Sequence, residues 1–441
     1  MRKFYGLLLI AGSILLLQSC SKKDTEVVAY QADANSFSSK VATDWMQTFR
    51  LIVKSEGKNP PQASRVYAYA GVGLYEAVVP GMAGYISLHN QLAMTSLPSA
   101  ETLGKLDFAV SANEALYGIA LQIFGTLKPE NSQLIENLHT KYVSDLHAKL
   151  DAHLFDYSTD FGKKVSAAAL NRAANDNFAT TRNLVYTVPP SSANPANWVP
   201  TGAVLSPLEP FWGQLKCFGM PSGSACYIPS TIPFDATPGS AFYNQANEVM
   251  TIGQNLTPDQ TAIAKWWADG TGSTPTPPGH WVGIATEVAL QKNISLAKAA
   301  EVYAALNMVM ADAFISCWDA KYKINLLRPV SYIKTYVTGG SAWTPLLGTP
   351  PFPEYPSGHS VSSSAAADVL TRLMGTVAFS DTSNVSLGFP ARSYNSFNDA
   401  ANEAAISRLY GGIHYREAIE KGLVQGKDVS KAFFSNIKLR N

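Results

Sequence analysis

The 441-residue sequence predicts an all-α fold, on two observations. Apolar residues recur at helical spacing over long segments, while the strict alternation of a half-buried β-strand is scarce. Thr257-Pro258 also combines an N-cap threonine with proline at the first helical position, a frequent helix start. The predicted helices span 37–56, 62–79, 101–125, 129–148, 159–178, 239–254, 257–269, 283–292, 295–320, 359–375, 397–410 and 414–434.

A long proline-rich segment, 180–238, interrupts the helices. Ten of the 26 prolines fall there, a density that excludes regular helix. Long irregular loops in compact proteins are usually functional or disordered. The aromatic residues Trp198, Phe211, Trp212 and Tyr227 favour an ordered loop packed on the helices. Such a loop could form part of an active-site rim or lie far from any site. A second stretch rich in proline and glycine spans 338–358.

The N-terminus has the features of an export signal. Arg2 and Lys3 precede an apolar run, 7–17, which is too short to span a bilayer. Leu17-Gln18-Ser19-Cys20 then looks like a bacterial lipobox. We therefore predict a lipoprotein signal peptide over 1–19, a lipid anchor at Cys20, a flexible tether over 20–36 and a single helical domain over 37–441. The alternative is an ordinary signal peptide with an incidental cysteine. The predicted location is the bacterial cell envelope, as an outer-membrane lipoprotein facing the periplasm or the cell surface.

The composition indicates that the function depends on a local site and not on the charge of the whole protein. The formal net charge is +1, and no basic run is interleaved with aromatics, so nucleic acid is not an expected partner. Cys217 and Cys226 lie nine residues apart in the proline-rich segment, and export permits a disulfide between them; two free thiols are the alternative. Cys317 lies in an apolar helical stretch and is predicted to be a buried thiol.

Three short segments in the C-terminal third concentrate cations and histidines. In the first, Lys321 and Arg328 are seven residues apart, which is two helical turns and predicts one shared helix face. The helix is expected to end near Pro329, because the residue before proline is pushed out of helical geometry. A solvated basic face is the alternative for this segment alone.

The second segment is Pro356-Ser357-Gly358-His359, followed by small helix-forming residues. Ser357 is a candidate N-cap, and Gly358 lets a ligand approach the backbone closely. The free N–H groups of a helix N-terminus form an anion site. His359 would stand beside the anion, placed for proton transfer.

The third segment is Ser407-Arg408, with His414 six residues after the arginine. Gly411-Gly412 lies between them and should break the helix, so we expect Arg408 near the end of one helix and His414 at the start of the next. A buried structural histidine is the alternative for His414. Arginine forks suit tetrahedral oxyanions, so the three segments together predict an oxyanion pocket.

In this order and at these spacings, the three segments resemble the signature of the type-2 phosphatidic acid phosphatase and vanadium haloperoxidase superfamily. Within it, the chain is most similar to the vanadium-dependent haloperoxidases of bacteria. The motifs cover 321–418, and a looser resemblance extends over most of the mature chain. The resemblance implies packed helical bundles like those of vanadium chloroperoxidase, with vanadate as cofactor.

The resemblance also implies a role for each residue of the motifs. The vanadate oxygens would be bound by Lys321, Arg328, Ser357, Gly358 and Arg408. His414 would bind vanadium, and His359 would act as the acid–base group. Trp318 and Phe352 stand where related enzymes line the halide side of the pocket. The implied reaction oxidises halide with hydrogen peroxide to hypohalous acid, with Lys321 polarising the bound peroxide.

One position departs from the superfamily pattern. An aspartate usually stands four residues after the vanadium-binding histidine, and here that residue is Ala418. Such a carboxylate would orient the imidazole. Glu417 or a backbone carbonyl could take its place; the alternative is that Glu417 is a lone surface residue. Two other functions stay open: a phosphatase that forms a phosphohistidine at His414, and a lipoprotein that binds an anion or a glycan without catalysis.

Overall fold

The computed structural model describes Met1 and residues 32–98, 103–201 and 204–441. These residues are mainly α-helical, which confirms the predicted fold class. Their β-structure includes one antiparallel pair of strands, β1 (Phe379–Asp381) and β2 (Arg392–Tyr394), with Ser380 opposite Ser393. The predicted signal peptide, the lipobox and most of the predicted tether lie outside the described residues. Residues 34–36 form a 3-10 turn, and Ala34 is fully buried.

Helices α1 to α6 occupy the N-terminal half of the chain. They are α1 (Lys40–Ser55), α2 (Pro60–Val78), α3 (Phe108–Ile123), α4 (Pro129–His147), α5 (Ala152–Ala174) and the short α6 (Phe178–Thr181). Helices α7 to α14 follow the proline-rich segment. They are α7 (Ala241–Gln254), α8 (Pro258–Trp266), α9 (Thr276–Gln291), α10 (Leu296–Ile324), α11 (Pro329–Tyr336), α12 (Gly358–Met374), α13 (Phe397–Tyr410) and α14 (Arg416–Asn436).

Capping explains where the helix boundaries differ from the prediction. Helix α3 begins at Phe108 rather than at 101, because the Asp107 side chain accepts hydrogen bonds from the first N–H groups of the helix. Helix α5 begins at Ala152 rather than at 159, where Asp151 caps it in the same way. Helix α9 begins at Thr276 rather than at 283, with prolines in its first turn, where a missing N–H costs nothing.

Helix α10 is the centre of the molecule. It packs along α2 and also against α12. A Cβ atom on Gly71 of α2 would lie 2.7 Å from the carbonyl oxygen of Tyr303, so glycine permits this close approach. Among the helices of the described residues, α10 is long and apolar enough to cross a membrane, but its most apolar stretch is entirely buried. It is therefore the core helix of the fold.

The C-terminal helices bring the three segments to one end of α10. Helix α12 packs against α10, α13 and α14. The end of α10, the beginning of α12 and the end of α13 therefore meet.

The described residues of the proline-rich segment are mostly irregular and pack on the helices, as predicted. Trp198 and Trp212 are buried, and the Asp312 carboxylate of α10 accepts hydrogen bonds from three successive N–H groups of this loop, those of residues 218–220. The Leu208 N–H donates to the Pro351 carbonyl, so the loop also touches the second proline-rich stretch.

The cysteines are all thiols among the described residues. Cys217 and Cys226 are free, so the predicted disulfide is absent. Both side chains pack against the hydrophobic core, and burial raises the pKa of Cys226 to about 11 and that of Cys217 above its usual range. Each thiol is therefore held protonated in its own packing site. Cys317 is buried, as predicted.

Candidate active site

Lys321 and Arg328 converge without sharing a helix. Helix α10 ends at Ile324, and Asn325 adopts a left-handed conformation with φ of 52°. Arg328 then lies in the N-cap position of α11. The expectation that the two cations lie on one helix face is wrong, because the left-handed residue ends the helix between them. Both side chains are nonetheless fully buried in the same region.

The Lys321 ammonium group anchors the loop that leads into α12. Its Nζ atom donates to the carbonyl oxygens of Pro353 at 3.0 Å, Glu354 at 2.9 Å and Pro356 at 2.5 Å. These contacts use all three N–H bonds of the charged form. Burial lowers the pKa of Lys321 to about 7, and three carbonyl acceptors favour its protonated form. Lys321 therefore contributes positive charge and fixes the loop, with no N–H bond left free.

Arg328 links the same loop to His414. Its Nε donates to the Phe352 carbonyl at 2.9 Å, and its Nη1 donates to the Ile413 carbonyl at 2.9 Å. Nη1 also lies 3.2 Å from His414 Nε2. A guanidinium nitrogen can only donate, so His414 Nε2 is the acceptor and carries no proton.

Glu354 fixes the other nitrogen of His414. Its Oε1 atom lies 2.8 Å from His414 Nδ1 and accepts from the Tyr415 N–H at 2.9 Å. Nδ1 therefore carries the proton, and the Nε2 lone pair faces away from Glu354. Burial, with the charges of Arg328 and Lys321, holds the pKa of His414 well below its usual range, so the ring is neutral. Burial raises the pKa of Glu354 to about 7, although Arg328 and Lys321 oppose that rise.

Glu354 fills the orienting role that we considered for Glu417 or a backbone carbonyl. The Glu417 carboxylate accepts from Ser230 and Thr231 and holds the proline-rich segment, so Glu417 neither orients His414 nor is a lone surface residue. The Ala418 carbonyl accepts from the Ser357 N–H at 3.0 Å. Glu354 is the one acidic residue in 338–358 and stands five residues before His359. A single acidic residue so close to His359 is a sequence signal that could have identified Glu354.

The second segment forms a helix N-terminus, as predicted. Ser357 is the N-cap of α12, and its Oγ accepts from the Ser360 N–H at 3.3 Å. Gly358 is the first helical residue, whose N–H has no partner within a helix. A Cβ atom there would lie 3.5 Å from Cζ3 of Trp318, on the pocket wall. Glycine therefore leaves open space above the Trp318 ring.

His359 and Arg408 share one backbone acceptor. Arg408 Nη1 donates to the Trp267 carbonyl at 2.9 Å, and the His359 ring forms a hydrogen bond with the same carbonyl. Burial, together with the Arg408 charge, holds the pKa of His359 well below its usual range. Burial lowers the pKa of Arg408 to about 9, while Asp269 opposes the shift. No sequence pattern indicated Trp267, because it acts through a backbone atom.

The third segment folds as expected. Arg408 lies in the last turn of α13, and His414 lies in the turn before α14. Gly412 between them has a positive φ of 74°, which glycine adopts without strain.

These side chains surround a cavity of about 300 Å³. Six of the nine predicted site residues line it: Trp318, Phe352, Gly358, His359, Arg408 and His414. The rings of Trp318 and Phe352 lie 5.0 Å apart. Lys321 Nζ lies 5.1 Å from the Phe352 ring centroid, and Arg328 Cζ lies 4.8 Å from it. One wall of the cavity is therefore aromatic and backed by two cations.

The polar atoms of the site fit an oxyanion. Three buried nitrogens in it have no hydrogen-bond partner: Arg328 Nη2, Arg408 Nε and His359 Nε2. Buried donors without partners are costly and uncommon in native proteins. The oxygens of an anion would satisfy the two guanidinium donors, together with the N–H groups at the start of α12. The other nitrogen of the neutral His359 ring faces the Trp267 carbonyl and carries the proton, so His359 Nε2 is an acceptor and would suit a protonated oxygen of the anion. His414 Nε2 carries no proton and would exchange its hydrogen bond from Arg328 Nη1 for a bond to the central atom, so the residues present suit vanadate.

Comparison with known proteins identifies relatives of this chain. Residues 301–440 match a family model described as the VCPO second helical-bundle domain. A vanadium chloroperoxidase of Curvularia inaequalis is 28% identical over 138 residues. That match covers 26% of this chain and 23% of the fungal protein, so it spans under a quarter of that relative's length.

Two solved structures extend the likeness over nearly the whole chain. The holo-type structure of a bacterial vanadium-dependent chloroperoxidase superposes with a TM-score of 0.66 at 16% identity, covering 87% of this chain and 95% of that one. This likeness shows the fold. A structure described as the first bacterial vanadium-dependent iodoperoxidase superposes with a TM-score of 0.84 at 33% identity, covering 92% of this chain and 98% of that one. With a relative this similar matched along almost its full length, the chain belongs to the vanadium-dependent haloperoxidase family.

Proposed function

We propose that the chain is a vanadium-dependent haloperoxidase, which oxidises halide with hydrogen peroxide to hypohalous acid. The observation that carries the proposal is a set of buried nitrogens without hydrogen-bond partners, Arg328 Nη2, Arg408 Nε and His359 Nε2, at a cavity that Arg408, His359 and His414 line. Family membership identifies the anion as vanadate. In the overall reaction, halide loses two electrons, the O–O bond of peroxide breaks, one oxygen joins the halogen and the other leaves as water after taking up a proton.

The chain's own residues would hold the cofactor and handle the proton. Bound vanadate would supply a Lewis acid that activates peroxide, while the vanadium keeps its oxidation state. Arg328, Arg408 and the Gly358 N–H would bind its oxygens, and His414 Nε2 would bind vanadium. His359 Nε2 has no other partner and stands ready to exchange a proton with an oxygen in the cavity. Donors fixed in advance favour the developing charge at little reorganisation cost.

We propose iodide as the preferred halide. The relative at 33% identity is described as an iodoperoxidase. The aromatic wall of Trp318 and Phe352, with Lys321 and Arg328 behind it, offers polarisable apolar surface and positive charge to a large soft anion. The two roles predicted for Lys321, binding a vanadate oxygen and polarising peroxide, stay predictions. Its three N–H bonds go to carbonyl oxygens, so either role would require it to give up one of them.

A panel of three assays on one purified protein tests this function. Metal-free protein is incubated with vanadate or with phosphate and assayed with peroxide for oxidation of iodide and of bromide, and without peroxide for cleavage of a phosphomonoester. We expect peroxide-dependent iodide oxidation only after vanadate is added. Phosphomonoester cleavage without any halide oxidation would support the phosphatase alternative, and the absence of all three activities would support the non-catalytic one.

We also propose that Cys20 carries a lipid anchor and holds the enzyme at the bacterial cell envelope. The support is the lipobox sequence, Leu17-Gln18-Ser19-Cys20. Wild-type protein expressed in a bacterium should incorporate labelled fatty acid and sediment with membranes. Cys20→Ser should lose the label and stay out of the detergent-extracted membrane fraction. Equal labelling of both proteins would contradict the anchor at Cys20.

A further inference from the structure

Another buried histidine, outside the site, lies close to it. His280, on α9, stands between two carboxylates: its Nδ1 lies 3.0 Å from both oxygens of Asp269, and its Nε2 lies 2.7 Å from Oδ2 of Asp381. All three side chains are buried. Asp381 belongs to β1 and also accepts from the indole N–H of Trp266 at 3.1 Å.

The geometry makes His280 an imidazolium. Both ring nitrogens face carboxylate oxygens, so both carry protons. Burial lowers the pKa of His280, but Asp269 and Asp381 raise it by more, to about 10. Among the described residues, no group of three or more His, Cys, Asp or Glu side chains is arranged to hold a metal ion, and that includes this cluster. The cluster is therefore a fixed Asp–His–Asp arrangement that keeps its charge across the neutral range.

The cluster connects to the site through Trp267. The His280 ring stacks on the Trp267 ring, with centroids 4.3 Å apart and planes at 17°. Glu403 also holds the Trp267 ring, because its carboxylate accepts from the Trp267 indole N–H at 3.0 Å. The carbonyl of Trp267 is the acceptor shared by Arg408 and His359. Asp269, two residues later, lines the cavity and has a strained positive φ of 46°.

We propose that His280 and Asp381 are positioning residues of the oxyanion site. They hold the turn of Trp267 and Asp269, and the Trp267 carbonyl in turn aims Arg408 and His359 at the bound oxyanion. The catalytic part of this inference rests on the proposed function, whereas the part that concerns oxyanion binding does not. A buried ion cluster is a weak source of stability, because desolvation offsets the attraction between its charges. A role in the site accounts for its presence better than stability alone.

Two variants and one matched control test the inference. His280→Gln removes the ring and its charge, and Asp381→Asn keeps the shape and removes one carboxylate. The control is His139→Gln. His139 is also paired with a carboxylate, Glu114 at 2.6 Å, and also stacks on an aromatic ring, that of Tyr117 at 3.7 Å, but it lies on α4 and does not line the cavity.

For each folded protein, vanadate affinity is measured by calorimetry, the melting temperature by near-ultraviolet circular dichroism, and kcat and KM with iodide and peroxide. We expect both cluster variants to bind vanadate about tenfold or more weakly, and to lose kcat at saturating vanadate while the KM for iodide is unchanged. The control should lose stability only. If His280→Gln does not fold, Asp381→Asn carries the test.

Two outcomes separate this inference from the proposed function. Folded cluster variants that match wild type in vanadate affinity and in kcat would overturn the positioning role. Wild-type protein that binds vanadate without oxidising iodide would overturn the proposed function, and the vanadate affinities of the variants would still decide the inference.

Discussion

Glu354→Gln is expected to weaken vanadate binding by about 10- to 100-fold and to lower halide oxidation with it, the usual cost of losing a carboxylate behind a metal-binding histidine. The Glu354 carboxylate accepts the Nδ1 proton of His414, which keeps Nε2 unprotonated, so that vanadium can replace Arg328 Nη1 as its partner. A glutamine in its place can turn its NH₂ group toward Nδ1. That would favour the opposite tautomer and block the binding of vanadium at Nε2.

Glu417→Gln is the matched control for Glu354→Gln. Glu417 stands beside Ala418, where the superfamily pattern would place the orienting group, but it binds Ser230 and Thr231 instead. We expect it to leave vanadate affinity close to that of wild type. Nitrogen-15 NMR of the metal-free proteins should show His414 protonated at Nδ1 in wild type and in Glu417→Gln, and a changed tautomer in Glu354→Gln. An unchanged tautomer and affinity in Glu354→Gln would contradict the assignment.

The second large effect is expected for Arg328→Lys. The substitution keeps the charge but removes the planar fork that bonds two carbonyls and His414 and still presents a free Nη2. Each hydrogen bond to a charged group contributes about 1.5–3 kcal/mol, so losing the Nη2 contact alone should weaken vanadate binding by about 10- to 150-fold. Calorimetric titration with vanadate measures that loss.

Arg172→Lys separates loss of the site from loss of stability. Arg172 is equally buried and makes a similar set of bonds, to the carbonyls of Leu92 and Cys217 and to the Tyr69 hydroxyl. Both variants should lower the free energy of unfolding, because buried acceptors are left unpaired. Only Arg328→Lys should also lose vanadate affinity. Equal affinities in the two variants would show that Arg328 serves packing and not the anion.

The sequence was sufficient to predict the parts of the site that depend on local geometry. Ser357 and Gly358 were identified as a helix N-terminus, because capping is set by neighbouring residues. Arg408 and His414 were placed on either side of a helix break, because the glycines between them make one. The predictions failed where the chain reverses: the left-handed Asn325 separates Lys321 from Arg328, and no short-range pattern required it.

Long-range partners are what the sequence could not supply. Glu354 meets His414 across 60 residues, and Asp381 meets His280 across 101. The Trp267 carbonyl is invisible to any pattern of side chains. These contacts exist because packing of α12, α13 and α14 against α10 brings distant turns together. The motif residues mark where the anion binds, while the residues that orient them emerge only from the fold.

The proposed function requires His414 to bind vanadium in a site that catalyses halide oxidation. The decisive measurement is a vanadate titration of metal-free wild-type protein and of His414→Ala, with peroxide and iodide present. We expect saturable activation of wild type by vanadate and no activation of His414→Ala, with both proteins folded. Iodide oxidation that does not depend on vanadate, or equal activation of His414→Ala, would contradict it.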